Sequence, residues 1–449
     1  MQAIGRTTRL AGYLRNMKAL FISTHFPEDF LRSATGTFKR LRTFLDALKE
    51  RASLRLLFYC RPELQLDAGR IMEAKDGIRT HWGLDDFELV VCRQEHDTCD
   101  DHGFLQRYLT PALSIHRQLG YARTSGDAQL RTLNACLDDN PQLIFAHRLN
   151  TVCPLLRTDR PLPPVYMDLD DVEHKVFLRE MSQPPKWASK PLMYLQWPAL
   201  MLGERRAIEL TRKTFVCSDA DVRYLRRTLG LSNVSLIPNS IDIPAPQPTS
   251  GEPALLFLGA YGYKPNVVAA TELIREIWPF VRSACPAARL IIAGASPERI
   301  PCFAEHHEGV EYAGFVEDLD QIYRRARAVC CPIRSGGGTR IKIIEAAAYG
   351  KAIVSTPLGA EGLDFTDGSE IMLRDDPGAF AAACIELLRN DRLCERIGAA
   401  ARARATARYD RQSVIRLVQL EIFGSSAEES QTARQARSDS AEKPSVANL

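Results

Sequence analysis

Short apolar runs alternate with amphipathic helical segments along most of this chain. The first apolar run covers residues 19–23, and apolar positions then recur between residues 38 and 48 at three- and four-residue intervals. A polar loop over residues 25–36 separates the two. A short continuous apolar run is typical of a buried strand, and the longer interval lines one face of a helix. The pattern therefore predicts a β-loop-α unit.

The alternation continues through the chain and starts again after a proline-rich segment. In the first half, further strand candidates are residues 54–59, 89–92, 143–146, 165–168 and 214–217. Residues 240–253 hold four prolines and little periodic structure, as in an interdomain linker. Beyond them the predicted strands are residues 255–258, 290–293, 310–312, 328–332, 352–355 and 371–373. Such alternation predicts an α/β protein with two doubly wound, Rossmann-like domains that face a central cleft.

These patterns divide the chain into segments with different expected roles. We expect a flexible N-terminal extension over residues 1–16, a first Rossmann-like domain over 17–240, a linker over 241–253, a second Rossmann-like domain over 254–405, a C-terminal helix over 406–424 that packs back toward the first domain, and a disordered tail over 425–449. The extension lacks the apolar core of a secretory signal, and a start at Met17 would omit it. The tail has almost no large apolar residues with which to form a core.

The composition is that of a globular protein. Of 449 residues, 45% are hydrophobic and 25% are charged, which suits two or three domains. The formal net charge of +3 is too small to indicate nucleic-acid binding, although basic patches remain available to anionic lipids. The 12 cysteines form no CxxC pair, and no stretch of about 20 apolar residues is present to span a membrane. We expect a cytoplasmic protein, with peripheral contact at the inner face of a membrane as an open alternative.

One loop carries the clearest chemical signal. Gly336, Gly337, Gly338 and Thr339 stand between a predicted strand and a predicted helix. Glycines let a ligand approach the backbone closely, and the start of a helix presents free N–H groups and the positive end of the helix dipole. Such a turn binds anions, and diphosphate is a natural occupant.

Charged residues in the predicted helix support this interpretation. We expect Arg340 and Lys342 in the first helical turn, where positive charge opposes the helix dipole unless an anion compensates it. Glu345 lies about one turn deeper, where its carboxylate can accept hydrogen bonds from paired sugar hydroxyls. Gly350 is placed to end the helix. A flexible loop followed by a solvated helix face is the alternative, and the loop alone favours neither.

Several motifs follow one another in a family-specific order. In the second half they are Leu-Phe-Leu-Gly259, Tyr263-Lys-Pro-Asn266, Ile-Ile-Ala-Gly294, Gly314-Phe-Val316, the glycine loop through Glu345, Ala347-Ala-Tyr-Gly-Lys-Ala-Ile-Val-Ser355 and Gly359-Ala-Glu-Gly-Leu363. This half resembles the retaining glycosyltransferases of family 4, also called glycosyl transferases group 1, which have the GT-B fold. The first half resembles them more loosely, through Leu20-Phe-Ile-Ser with Gly36, Ile144-Phe-Ala-His147-Arg, Asp168-Leu-Asp-Asp171-Val-Glu and Ile237-Pro-Asn239. The glycine loop and Lys-Pro-Asn look most like bacterial transferases of surface and exopolysaccharide synthesis.

The resemblance implies a reaction and a donor site. The protein would transfer a sugar from a nucleotide-diphosphate sugar to a glycan or lipid-linked acceptor, with retention and without a metal or cofactor. The first domain would bind the acceptor and the second the donor. The implied donor-binding residues are Gly36, Thr37, Lys264, Asn266, Val316, Gly336, Gly337, Gly338, Thr339, Arg340, Lys342 and Glu345.

Individual residues receive roles from the same resemblance. His147 resembles a histidine near the donor sugar and is the predicted catalytic residue, with a structural histidine as the alternative. Gly36 and Thr37 would approach the donor phosphate from the first domain, unless they form an ordinary turn and helix cap. The backbone of Val316 would lie against the nucleotide base. Asn239 would fix the hinge.

The chain departs from the family's pattern at one glutamate. The family's paired glutamates, separated by seven residues, would fall at positions 337 and 345, and position 337 is Gly337. In the family the first carboxylate lies near the donor sugar and the second near the ribose. Ribose binding therefore carries over to Glu345, whereas the sugar contact does not.

A second departure concerns positive charge. The arginine and lysine that usually follow the first strand of the second half are reduced here to Lys264, with Ala260 after Gly259. We infer that Arg340 and Lys342 supply the missing charge toward the diphosphate.

Two further segments admit more than one interpretation. Asp168-Leu-Asp170-Asp171 looks like a metal-binding Asp-x-Asp motif of a different glycosyltransferase fold, although a structural or acceptor-facing loop suits its place after a strand better. Residues 186–206 combine aromatic and aliphatic residues with flanking basic ones, which suits an amphipathic surface on anionic lipid. An ordinary core helix is the favoured alternative.

Other protein classes are compatible with the same pattern. A non-hydrolysing nucleotide-sugar epimerase can share the two-domain architecture and would need no acceptor. A third possibility is a non-catalytic partner that binds a nucleotide sugar in a polysaccharide assembly complex. The glycine at position 337, where the family has a glutamate, adds weight to this alternative.

Overall fold

Two parallel β-sheets joined by helices make up the described part of the chain. The computed structural model describes residues 17–27, 36–95, 103–183, 186–246 and 252–424. The predicted N-terminal extension and C-terminal tail lie outside these residues, as do parts of the loop over 25–36 and of the linker. The two sheets confirm the predicted α/β class with two Rossmann-like, doubly wound units.

The first sheet has seven parallel strands in the order β3-β2-β1-β4-β5-β6-β7. Its strands are β1 Lys18–Ser23, β2 Ser53–Cys60, β3 Phe87–Arg93, β4 Leu143–His147, β5 Val165–Asp170, β6 Lys213–Val216 and β7 Val234–Leu236. The order reverses between β1 and β4, which opens a crevice at the carboxyl ends of these central strands. The strand β7 was not predicted. It has only three residues, directly before Ile237 and Pro238, and so gives too short an apolar run to recognise.

Helices connect these strands. The longer ones are α1 Gly36–Lys49, α2 Ala68–Trp82, α3 Asp127–Asp138, α4 Glu173–Ser182, α5 Trp197–Leu210 and α6 Asp219–Leu229. Shorter helical turns are Leu105–Leu109, Thr110–Leu113, Ile115–Arg117, Leu119–Ala122, Leu149–Val152 and Lys190–Gln196. The predicted apolar face of α1 packs against the sheet, because Leu41, Phe44 and Leu48 are fully buried in one cluster with Phe21 and Phe145. These strands and helices are called the first domain below.

The second sheet has six parallel strands in the order β10-β9-β8-β11-β12-β13. Its strands are β8 Ala254–Leu258, β9 Arg289–Ala293, β10 Val310–Gly314, β11 Ala328–Cys331, β12 Ala352–Ser355 and β13 Met372–Leu373. Its helices are α7 Lys264–Glu272, α8 Trp278–Ala284, α9 Leu319–Arg325, α10 Ile341–Ala348, α11 Pro377–Arg389 and α12 Asp391–Tyr409, with helical turns at Leu273–Ile277 and Pro297–Arg299. The order reverses between β8 and β11, so the loop after β11 lies at a ligand-binding crevice. These elements form the second domain.

The end of the described chain packs on the first domain. A final helix, α13 Arg411–Gln419, follows α12 and leads into the turn Leu420–Gly424. Val414, Ile415 and Val418 lie in the same buried cluster as the apolar face of α1. The predicted helix over residues 406–424 is therefore interrupted, because Asp410 has an extended backbone and its carboxylate accepts a hydrogen bond from the N–H of Ser413 at 2.9 Å.

Candidate functional site

The glycine loop occupies the crevice after β11. Gly336 and Gly338 have φ angles of 94° and 64°, in the region that glycine adopts without steric cost. A β-carbon at Gly336 would overlap the hydroxyl of Tyr263, which follows β8. The loop is therefore held against the neighbouring connection of the same sheet, and glycine is required by both conformation and space.

The helix after the loop starts one residue later than the sequence predicts. Arg340 is the N-cap residue, with an extended backbone, and α10 begins at Ile341. The expectation that both cations lie in the first helical turn is therefore correct for Lys342 and wrong for Arg340. Tyr349 is the C-cap residue and Gly350 follows with a φ of 70°, so the predicted glycine stop is confirmed.

The side chain of Arg340 turns back onto its own loop. Its guanidinium donates to the carbonyl oxygen of Ser335 at 3.1 Å and contacts the carbonyl oxygens of Gly337 and Gly338. Only 8% of the residue is exposed. In this position Arg340 shapes the glycine loop from within.

Lys342 is the second residue of α10, and its side chain is partly buried. Its Nζ donates to Oδ1 of Asn266 at 2.7 Å and lies 4.6 Å from the centroid of the Phe257 ring. Burial lowers the pKa of Lys342 to about 8. Asn266 in turn donates to the carbonyl of Ala260 at 2.8 Å, while Lys264 begins α7 with an exposed side chain. The structure thus brings Lys342 and Asn266 together beneath the turn and places Lys264 at its surface.

Glu345 lies about one turn further along α10 and faces the first domain. Only 4% of the residue is exposed, and its Oε1 contacts Nζ of Lys39 on α1. Its Oε2 accepts a hydrogen bond from the Tyr323 hydroxyl at 3.4 Å. A cavity of about 360 Å³ adjoins this carboxylate, and its lining includes Phe38, Arg42, Leu319 and Tyr349.

The start of α1 meets the start of α10. A β-carbon at Gly36 would lie 2.9 Å from Cδ1 of Ile341, so the absence of a side chain lets the two helix N-termini approach. Thr37 accepts a hydrogen bond from Arg148 at 3.4 Å. Asn239 donates to the Thr339 hydroxyl at 2.6 Å, which ties the segment after β7 to the glycine loop. Gly36 and Asn239 of the first domain therefore lie against α10 and the glycine loop of the second.

His147 ends β4, as predicted, but its imidazole is completely buried. Its Nδ1 lies 3.0 Å from the Ser23 hydroxyl, and its ring packs edge-on against His25 with 5.2 Å between centroids. Burial lowers the pKa of His147 well below its usual value, so the ring is neutral. The imidazole is thus enclosed by Ser23 and His25, and its Nε2 has no hydrogen-bond partner among the described residues.

Arginine–aspartate pairs fill the carboxyl ends of β4 and β5. Arg40 donates to both oxygens of Asp168 at 2.9 and 3.0 Å, and Arg148 donates to Asp170 at 2.7 Å. Arg148 and Asp170 have φ angles of 75° and 62°, which are unusual for residues with side chains. Backbone strain of this kind is concentrated at functional sites.

The acidic run after β5 fits a metal ion poorly. Oxygens of Asp170 and Asp171 and the sulfur of Cys217 lie within 4.8 Å of one another. However, Arg148 already compensates Asp170, and burial raises the pKa of the Cys217 thiol, which keeps it protonated. This set therefore does not resemble a cation site.

Val316 follows β10 and is partly buried against the second core, beside the exposed ring of Phe315. It lies on a loop at the carboxyl end of the same sheet as the glycine loop. The structure adds Lys39, Arg40 and Arg148 to the predicted site residues. Arg148 is the last residue of the motif that singled out His147, so the sequence carried a signal for it. The sequence carried no signal for Lys39 and Arg40, because the residues with which they pair are distant in the chain.

Part of the chain is similar in sequence to known proteins. Residues 252–390 match the family described as Glycosyl transferases group 1. The phosphatidyl-myo-inositol mannosyltransferase of Mycobacterium leprae (strain TN) is 31% identical over 210 residues, which cover 43% of this chain and 54% of that protein. The match thus spans about half of the relative's length. The second domain is similar to group 1 glycosyltransferases over most of its sheet.

Two solved structures resemble the chain over nearly its whole length. Sucrose-phosphate synthase from Thermosynechococcus elongatus has a TM-score of 0.62 at 15% identity, covering 94% of this chain and all of that chain (100%). Anabaena HepE in complex with UDP-glucose has a TM-score of 0.57 at 12% identity, covering 90% and 98%. At such identities the likeness concerns the fold, and the predicted GT-B fold is confirmed.

Proposed function

We propose that this protein is a nucleotide-sugar-dependent glycosyltransferase. The observation that carries the proposal is the convergence of the glycine loop, the partly buried cation Lys342 and the carboxylate of Glu345 at the start of one helix. This helix lies within the segment that matches group 1 glycosyltransferases. A helix start with a desolvated lysine suits a diphosphate, and a carboxylate one turn deeper suits ribose hydroxyls.

The donor would lie along α10. The free N–H groups around Thr339 and the ammonium of Lys342 would hold the diphosphate, with Gly36 and Thr37 closing over it from the first domain. Glu345 would bind the ribose after separating from Lys39. The cavity beside Glu345 and the loop at Val316 would receive the base. Arg340 would act indirectly, by keeping the loop carbonyls turned away from the anion.

Catalysis would consist mainly of stabilising the departing diphosphate. Negative charge develops on the leaving group as the bond to the sugar breaks, and the helix dipole, the N–H groups and Lys342 would receive it. Groups held by the fold in this way would need little reorganisation during the reaction. We propose transfer with retention and without a metal ion.

His147 would position neighbouring residues and would not itself contact the donor sugar. Its neutral ring supports His25 and Ser23 beneath the cleft, and the adjacent Arg148 projects toward Thr37 and Asp170. These groups would form the first-domain side of the site, where an acceptor would enter.

Exposed apolar residues on the first domain favour a lipid-linked acceptor over a soluble glycan. Exposed apolar side chains cluster on the turn Lys190–Gln196, the adjoining α5 and the segment before them: Trp187, Tyr194, Leu195 and Leu202. Basic residues lie close by in sequence, at Lys186 and Arg205. In the described part of the chain no helix is long and apolar enough to cross a membrane. We propose peripheral attachment to the inner membrane face and a role in bacterial surface or exopolysaccharide synthesis.

One assay tests the proposal against its alternatives. The protein is incubated with a panel of nucleotide sugars, beginning with UDP-glucose, with and without bacterial lipid extract. Release of nucleoside diphosphate that depends on the extract and is lost in Glu345→Gln supports glycosyl transfer. Isomerised sugar without an acceptor would indicate an epimerase instead. Binding of nucleotide without either reaction would indicate a non-catalytic partner.

A further inference from the structure

A carboxylate from the first domain lies against the glycine loop. Asp171 follows β5, and a β-carbon at Gly338 would overlap its Oδ1. A β-carbon at Gly337 would lie 3.5 Å from the Asp171 Oδ2 and would overlap Val176 of α4. The carboxylate therefore occupies the space that a larger residue at Gly338 would need, and it would be in ordinary van der Waals contact with a β-carbon at Gly337.

The Oδ1 atom of Asp171 has no protein partner among the described residues. It is buried and accepts no hydrogen bond. Nearby cations are engaged elsewhere: Arg148 with Asp170 at 2.7 Å, Lys175 with Asp221 at 2.6 Å, Arg179 with Glu361 at 2.6 Å, and Arg340 with the Ser335 carbonyl at 3.1 Å. Burial and the neighbouring Asp170 raise the pKa of Asp171 to about 7. A buried oxygen without a donor is costly, and a hydroxyl-bearing ligand would relieve that cost.

Asp171 lies near the place where the sugar end of the proposed donor would be. Glu345 marks the ribose end and the start of α10 marks the diphosphate. The sugar is attached to the far phosphate, so it extends from α10 toward Gly337 and Gly338. Asp171 lies at that end, on the opposite side of the interface.

We propose that Asp171 accepts hydrogen bonds from the hydroxyl groups of the donor sugar. It would supply from the first domain the carboxylate that Gly337 does not supply from the loop. This inference rests on the proposed function. The cavity between Asp171 and the loop is only about 20 Å³, room for roughly one water, so the sugar enters when the two domains separate along this contact. Recognition of the sugar is thereby coupled to closure of the cleft.

The test compares two ligands on the same variants. Wild type, Asp171→Ala and Asp171→Asn are titrated calorimetrically with a nucleotide sugar and with the matching nucleoside diphosphate, using the pair that wild type binds best in the panel. We expect Asp171→Ala to weaken binding of the nucleotide sugar about tenfold or more, the loss typical of a hydrogen bond to a charged group, and to leave the diphosphate affinity unchanged. Asp171→Asn keeps one acceptor oxygen and should lose less.

A matched control removes another carboxylate at the domain interface. Asp219 begins α6, is exposed and pairs with Arg408, and Asp219→Ala should bind both ligands like wild type. If wild type binds no nucleotide at all, the proposed function fails. If wild type binds both ligands but Asp171→Ala binds the nucleotide sugar equally well, or loses both ligands to the same extent, only the role of Asp171 is overturned. Should Asp171→Ala not fold, the near-isosteric Asp171→Asn provides the comparison.

Discussion

Lys39 of α1 and Glu345 of α10 form an ion pair across the cleft, although 306 positions separate them in the sequence. The carboxylate that we assign to the ribose is therefore already occupied by a cation from the other domain. Ligand binding has to replace this contact with hydroxyl groups. We therefore expect the Lys39–Glu345 ion pair and a bound donor to exclude each other.

Removing Lys39 should make nucleotide binding tighter. The lysine side chain is 26% exposed, so the pair is screened, and its loss in Lys39→Met should raise nucleoside diphosphate affinity about two- to fivefold. Calorimetric titration measures the change. Lys49→Met on the same helix, which removes a pair with Asp46, is the control and should bind like wild type. Weaker binding in Lys39→Met would instead mean that Lys39 itself holds the donor.

Lys342 should take up protons when the diphosphate binds. Its pKa of about 8 lies below the usual value near 10.5, so the ammonium is partly deprotonated at pH 8.5 in the free protein. An adjacent anion favours the charged form and raises the pKa, which draws a proton from solution. Titrations at pH 8.5 in buffers of different ionisation enthalpy should reveal this uptake. It should be absent at pH 6.5, where the lysine is already protonated.

The same residue has a defined effect on stability. Because the folded pKa of Lys342 is depressed, the unfolded chain binds more protons between about pH 8 and 10.5, and the free energy of unfolding rises with pH in that window. Lys342→Met should remove the contribution of Lys342 to this slope and abolish the proton uptake, while Lys351, whose pKa burial also lowers to about 8, keeps its own contribution. Uptake that persists in Lys342→Met would assign the titration to another group.

Restoring a glutamate to the glycine loop should destabilise the protein. The side chain of Gly337→Glu would collide with Val176, and overpacking of this kind costs about 1–3 kcal/mol. The midpoint of thermal unfolding should fall, and adding Val176→Ala should recover part of the loss. Gly262→Glu is the control, since a β-carbon there meets no atom within 4 Å. Equal midpoints for Gly337→Glu and wild type would show that the loop adapts freely.

The apolar surface beside α5 should bind anionic membranes. Trp187, Tyr194 and Leu195 are each exposed by more than 40%. A variant with alanine at all three should float with phosphatidylglycerol vesicles much less than wild type does, and neither protein should float with phosphatidylcholine alone. Alanine at Met72 and Phe280, which are exposed elsewhere, is the control. Undiminished flotation of the triple variant would contradict peripheral attachment through this surface.

Local features of the site were predictable from the sequence, and long-range ones were not. The glycine loop and the stop at Gly350 depend on backbone conformations that few residues other than glycine adopt, so the sequence records them directly. The inward turn of Arg340 depends on contacts with the carbonyl groups of its own loop, which the residue pattern does not encode. The complete burial of His147 and the pairing of Lys39 with Glu345 depend on packing between distant segments, which no local pattern encodes.

The most direct test of the donor site is a binding titration. Wild type and Glu345→Gln are titrated with the nucleoside diphosphates of uridine, guanosine, adenosine and thymidine under identical conditions. The account predicts that wild type binds at least one of them saturably, and that Glu345→Gln binds it about tenfold or more weakly through loss of the charged acceptor for the ribose hydroxyls. Saturable binding that is unchanged in Glu345→Gln, or no binding by wild type to any of the four, would contradict it.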